Sequence, residues 1–415
     1  MHSVSVGQTN SPIAPIDVSR PELYAEDRWQ EPFRKLRAEA PIQYVPESIF
    51  GPYWSISTYK PIVYIEALPR IFSSSWELGG IAIPGSAEKL MEGEIRQPMF
   101  IAMDPPQHTS QRRTIAPSFG PSEVAAMKAE IRERTGEVLD SLPIGSPFDW
   151  VERVSIELTT GMLARLFDFP WDERSKLTYW SDMGGAIGLM TTPEGHSRRN
   201  AALMEMAGAF AELWQQKMVN PGKDLISVML RSEAMSQMSP EEFIGNMILL
   251  IVGGNDTTRN SMSAYAYGLS QFPEERARLG ADPSLIPNAV QELIRWQTPL
   301  SHMRRTVLED TEIEGHAMKK GDKVVMWYVS ANRDESVFKD ADKIIVDREN
   351  ARRHLSFGYG IHRCVGARVA EIQLVTLLEE MGKRRLRANP IGEPERVPGC
   401  FVHGYRSMHV ELSSY

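Results

Sequence analysis

One stretch of this sequence restricts its fold more than any other. Ser239-Pro240-Glu241-Glu242 places an N-cap serine, a proline at the first helical position and a glutamate three residues after the serine; this is the pattern of a capping box. Helical spacing then runs on, through Gly253-Gly254, to about Gln271, where Phe272-Pro273 stops it. A helix of roughly 33 residues is ~50 Å long, enough to cross an entire domain. The rest of the chain has to be built around it.

No repeat, low-complexity tract or Gly/Ser linker divides the 415 residues. One large domain over 21–415 is therefore expected, behind a loose arm at 1–20. Helical patterns dominate from about residue 108 to 300, with a second helix from about Pro287 to Gln297 and a third from near Cys364 to about Arg384. Short apolar runs at Ile42–Val45, Tyr53–Ser57, Lys323–Val329 and Met408–Leu412 read as strands. The expected class is mainly α with a minor β part. A hydrophobic share of 42% against 24% charged excludes a disordered chain. The net charge of -8 argues against a generally basic nucleic-acid binder. The most apolar run, Met247–Val252, is far short of the ~20 residues of a membrane span. The amino terminus has no charged start followed by an apolar core. With only two cysteines, Cys364 and Cys400, a disulfide scaffold is not expected either. These readings point to a cytoplasmic protein.

The most specific local signal is Phe357-Gly358-Tyr359-Gly360-Ile361-His362-Arg363-Cys364-Val365-Gly366. Its glycines permit tight turns, and the cysteine stands at a helix start, where free N–H groups favour a thiolate. A random cysteine is most often a small buried hydrophobe. Phe-x-x-Gly-x-x-x-Cys-x-Gly, however, should arise by chance in only roughly one chain per thousand of this length. A zinc site from His354, His362 and Cys364 lacks the paired spacing that structural zinc prefers. A cysteine nucleophile would need a nearby base, and none is identifiable.

This loop resembles the haem-binding signature of the cytochromes P450. The resemblance implies a single-domain cytochrome P450 fold, a haem b (iron protoporphyrin IX) cofactor and Cys364 as the axial metal ligand. His362 stands where many members carry arginine. Further motifs follow in the family's order. Glu292-Leu293-Ile294-Arg295 alone would merely decorate a helix face; with Arg348 the resemblance makes it a buried structural ion triad. Gly253-Gly254 in mid-helix costs about 1 kcal/mol per glycine, which either close packing or room for a ligand would explain. By resemblance this is the oxygen-binding groove, in which Thr257 bonds back to a carbonyl and opens the helical ladder. Thr257 would then hold the hydrogen-bond network around dioxygen, and Asp256 would relay protons to it. His108 and Arg112, four apart on one helix, Arg305 and His362 match the basic groups that hold haem carboxylates. Singly, each also reads as ordinary surface charge.

A thiolate ligand favours oxygen activation over reversible carriage. The implied activity is therefore monooxygenation of an apolar small molecule with O2. No fused reductase fits this length, so a [2Fe–2S] ferredoxin with an NAD(P)H-dependent reductase is the implied electron source. Arg113, Arg352, Arg353, Arg363 and Arg368 offer a basic docking patch for it. Gly253–Ser261, Met103–His108 and His302–Thr306 look like the bacterial branch that hydroxylates terminal carbons of n-alkanes and fatty acids. Val252, Leu300 and Phe401 are the expected substrate contacts, and Met183–Thr192, rich in glycine, the expected lid. A terpene, sterol or aromatic substrate, a peroxide-driven peroxygenase and a non-catalytic haem sensor are the alternatives.

Overall fold

The computed structural model describes residues 13–85 and 96–415. It is 54% helix and 13% strand, mainly α as the sequence implies. The central helix spans Pro240–Gln271 and begins on the expected capping box: Ser239 Oγ accepts from the Glu242 amide at 3.2 Å, and Glu242 Oε2 accepts from the Ser239 amide at 3.1 Å. Along it run two separate apolar cores. Ile244, Met247, Ile248 and Ile251 pack with Leu163, Leu203 and Phe210. Met262, Ala264 and Leu269 pack instead with Leu293, Leu374 and Leu377, on the helices Ile286–Gln297 and Ala367–Lys383. The changeover falls at Val252–Asn260, the segment that carries Gly253-Gly254 and Asp256-Thr257.

The β part is small. Five strands form one sheet in the order Ile42–Val45, Tyr53–Ile56, Lys323–Trp327, His302–Val307, Phe72–Ser73, with only the second and third parallel. A second sheet joins Pro147–Asp149, His409–Ser414 and Leu386–Pro390. The strand expected to reach Val329 stops at Trp327 and turns into a short helix, Tyr328–Ala331. The carboxy-terminal helix begins at Ala367, three residues beyond Cys364.

The expected loose arm is corrected where it is described. From Ile13 the chain packs down: Val18 and Ser19 are fully buried, and Gln43 bonds both backbone groups of Ile16, its Nε2 donating at 2.7 Å and its Oε1 accepting at 3.1 Å. Val18 in the core, with Ile13 and Ile16 packed against the same cluster, and a paired amide outweigh the turn-rich composition that made this stretch look loose. The remainder of the arm, residues 1–12, lies outside the described residues.

Candidate active site

The cysteine loop is folded tightly against the helix Tyr59–Glu66. Gly358 and Gly360 take left-handed φ values of 67° and 65°, and a Cβ on Gly360 would lie 2.3 Å from the Glu66 carbonyl oxygen. The Cys364 amide donates to Phe357 O at 2.8 Å and closes the loop. Enclosed by protein, the thiol still opens onto an internal cavity of ≈ 290 Å³. Burial pushes the Cys364 thiol up; the Gly366 amide, Arg112 and Arg363 only partly oppose it. The Gly366 amide acts in the sense expected of a helix start, against a larger opposing effect of burial. A bound metal deprotonates a ligating thiol outright. Cys400 is fully buried and is absent from this lining.

The central helix supplies one wall of the cavity. A Cβ on Gly253 would meet nothing within 4 Å, whereas one on Gly254 would come 2.6 Å from Leu163 Cδ2. Both explanations for the glycine pair hold, one for each residue. Thr257 Oγ1 donates to Gly253 O at 3.0 Å, yet the helix stays α-helical throughout, so the expected opening of its ladder is absent. Asp256 lines the cavity at 2% exposure and accepts from the Ser181 hydroxyl at 2.8 Å and from Arg259 Nη2 at 2.9 Å. Arg259 in turn reaches the half-exposed Asp182 at 2.8 Å. Burial pushes the Asp256 carboxyl up, and Arg259 holds it back. Gly185 makes this approach fit, since a Cβ there would lie 2.7 Å from Asp256 Oδ2.

Val252, Leu300 and Phe401 all line the cavity, beside Ile248, Met99 and Ile187. The expected lid instead closes a helix, Ser175–Gly185, and continues as a 3-10 turn over Ile187–Thr191, with Gly184, Gly185 and Ile187 in the cavity wall. Gly184 and Gly185 serve close packing on the central helix, where a Cβ on Gly184 would sit 2.9 Å from Val252 Cγ2, whereas one on Gly188 would meet nothing within 4 Å.

Arg112, Arg305 and His362 share one part of the lining. His108 stands behind, its ring 4.2 Å from that of His362, and both nitrogens of each imidazole are buried without a hydrogen-bond partner. Burial and the guanidinium groups push His108 down to about 4 and His362 to about 2. A carboxylate placed against them would oppose this shift and favour their cationic form. Outside the cavity, Glu292 forms a fully buried knot: Arg295 Nε donates to it at 2.7 Å, Arg348 Nε at 2.9 Å and the Ile345 amide at 2.9 Å. Arg295 spends its other donors on the carbonyls of Asn332, Ala341 and Lys343, tying its helix to that loop.

Residues 281–381 match the family model for cytochrome P450. The structure superposes on cytochrome P450-153 from Novosphingobium aromaticivorans with TM-score 0.91 and 57% identity, over 96% of this chain and 99% of that one. The chain is 36% identical to linalool 8-monooxygenase of Pseudomonas putida, over 95% of its own length and 98% of the relative's. It is 31% identical to a methyl-branched lipid omega-hydroxylase of Mycobacterium tuberculosis, over 97% and 96%. This chain belongs to the cytochrome P450 family.

Haem held through a cysteine thiolate is the family's cofactor, and the lining of this cytochrome P450 fits it. Cys364 is the only cysteine there, the unpaired imidazole nitrogens and two guanidinium groups suit carboxylates, and Gly253 leaves open space beside Thr257. Among the described residues no three His, Cys, Asp or Glu side chains gather as a metal site, which disposes of the zinc reading. Sequence reasoning missed Glu66, Ser181 and Arg259. Two left a signal: Glu66 is the one charged residue in Pro61–Leu68, and Arg259 stands three residues after Asp256 on one helix face.

Proposed function

We propose that this P450 is a ferredoxin-dependent monooxygenase that hydroxylates a terminal carbon of n-alkanes or fatty acids. The observation that carries the reading is the apolar wall formed by Ile248, Val252, Leu300 and Phe401 in the same cavity as Asp256 and Thr257. Bound there, haem supplies oxygen activation and one-electron reduction. Cys364 would ligate its iron, and Arg112, Arg305, His108 and His362 would hold its carboxylates. The Thr257 hydroxyl, parked on Gly253 O, is free to turn toward the open space at Gly253 and orient dioxygen there. Asp256 stands next to it and is positioned by Arg259, which also binds Asp182 near the surface. The carboxyl is the group that takes up a proton and hands it on, and the guanidinium, always protonated, only holds it. The apolar wall shields the reacting carbon from bulk water, while Gln97, Arg199 and Asp256 are the polar groups that share the cavity with Val252.

Electrons would come from an acidic [2Fe–2S] ferredoxin with an NAD(P)H-dependent reductase. Arg113, Arg352, Arg353, Arg363 and Arg368 are exposed on and around the cysteine loop, and Arg112 bonds the Arg363 carbonyl, which joins that surface to the cavity. No helix among the described residues is long and apolar enough to cross a membrane; a cytoplasmic protein, sharing its compartment with the ferredoxin, belongs to the same proposal.

Optical titration of the purified oxidised protein with a medium-chain n-alkane tests the reading. A saturable low-spin to high-spin shift is expected, followed by a primary alcohol when ferredoxin, reductase and NADH are added. A shift with terpenes or sterols and none with alkanes or fatty acids would overturn the substrate class.

A further inference from the structure

The part of the cavity lined by Arg305 and His362 contains a carboxyl of its own. Glu66, the last residue of the helix Tyr59–Glu66, is 5% exposed and lines the cavity with Arg305, Tyr328 and Gly358. Its Oε1 accepts from the Tyr328 hydroxyl and, at 3.3 Å, from Arg305 Nη2. Its Oε2 is buried and has no hydrogen-bond partner. Arg305 Nη1 is committed to the Arg304 carbonyl at 2.7 Å. One guanidinium therefore has two claimants, Glu66 and the cofactor carboxylate it is proposed to hold.

We propose that Glu66 is a positioning residue for the propionate end of the haem, dividing the Arg305 charge between itself and the propionate and so setting the haem reduction potential. The inference rests on the haem reading above. Two carboxyls on one guanidinium favour a shared proton, because like charges disfavour double ionisation. Burial pushes the Glu66 carboxyl up, while Arg305, the Tyr328 hydroxyl and the Tyr359 amide pull it down. Those are the groups that face it from the sheet, the short helix and the cysteine loop; His362 lines the same cavity and feels the Arg305 charge. An ionised Glu66 opposes an added electron and withdraws Arg305 from the propionate. Both effects lower the potential, and both vanish when Glu66 takes up a proton.

Redox potentiometry of the purified holoenzyme, followed at the Soret band across pH, tests this. Glu66→Gln keeps the shape and removes the charge. It should raise the potential on the alkaline side by roughly a tenfold change in the reduction equilibrium, about 59 mV for one electron. On the acid side, variant and wild type should converge. Equal potentials at every pH, with haem bound normally, would overturn the proposal. Should that variant not hold haem, Tyr328→Phe is the second test. Loss of a donor to the carboxylate should move the midpoint of the pH dependence upward, and an unchanged midpoint would equally overturn it. Wild-type protein without a haem spectrum would instead refute the haem reading itself.

Discussion

Gly245 and Gly253 sit two turns apart on the same helix, and substitution by alanine should move stability in opposite directions. Replacing glycine by alanine in a helix interior stabilises by about 1 kcal/mol when the methyl has room. At Gly253 it has room, since nothing lies within 4 Å of the added Cβ. At Gly245 the Cβ would lie 2.2 Å from Pro98 O and 2.9 Å from Gln97 C. Those are backbone atoms, and the crossing segment is pinned by the Phe100 amide donating to Asn246 Oδ1 at 2.9 Å. A rotamer change cannot relieve the clash, so the overpacking cost belongs at the upper end of the usual range, about 3 kcal/mol. After the helical gain, Gly245→Ala should lose about 2 kcal/mol and Gly253→Ala gain about 1 kcal/mol. The assay is urea unfolding of the holoenzyme, comparing midpoints at a common slope. Gly253→Ala should also weaken the alkane spin shift, because its methyl enters the cavity. Gly245→Ala as stable as wild type, or Gly253→Ala less stable, would refute the reasoning.

Glu292→Gln leaves Arg295 and Arg348 buried without a counter-charge and should destabilise by roughly 3–5 kcal/mol in urea unfolding at neutral pH. Arg295 and Arg348 outweigh burial and hold the Glu292 carboxyl below its usual range. Its contribution is therefore present above the unfolded carboxylate value of about 4.3 and fades as pH falls through the lower folded value. The gap between variant and wild type should narrow in acid, and a gap independent of pH would count against the ion knot. Thr257→Ala loses only a back-bond to Gly253 O, so haem content and unfolding should hardly change while NADH consumption diverts into hydrogen peroxide; tightly coupled product formation in that variant would remove Thr257 from proton delivery. Charge reversal at Arg352 and Arg353 should slow reduction by the ferredoxin and flatten its salt dependence, and unchanged stopped-flow rates would move the docking face elsewhere.

Much of this protein is written locally. The capping box at Ser239, the proline stops and the spacing of Phe357 to Gly366 each encode their structure within a few residues, because helix caps and tight turns are short-range physics. Hence the long helix, the mainly α class and the cysteine loop were all readable before any fold was known. Glu292 with Arg295 was visible as a pair, but its burial was implied only by the family resemblance and by nothing in the spacing. The third member, Arg348, joins from another segment, and only packing turns a solvated face into an ion knot. Tertiary structure alone decided that Gly253 opens onto a cavity while Gly254 packs on Leu163, and that burial pushes the His108 and His362 imidazoles down. It also decided that burial, despite the adjacent helix, pushes the Cys364 thiol up. Ionisation follows from desolvation, and desolvation depends on which distant segments close over a group. Sequence spacing carries no trace of that, so the residues of this site were legible and their charge states were not.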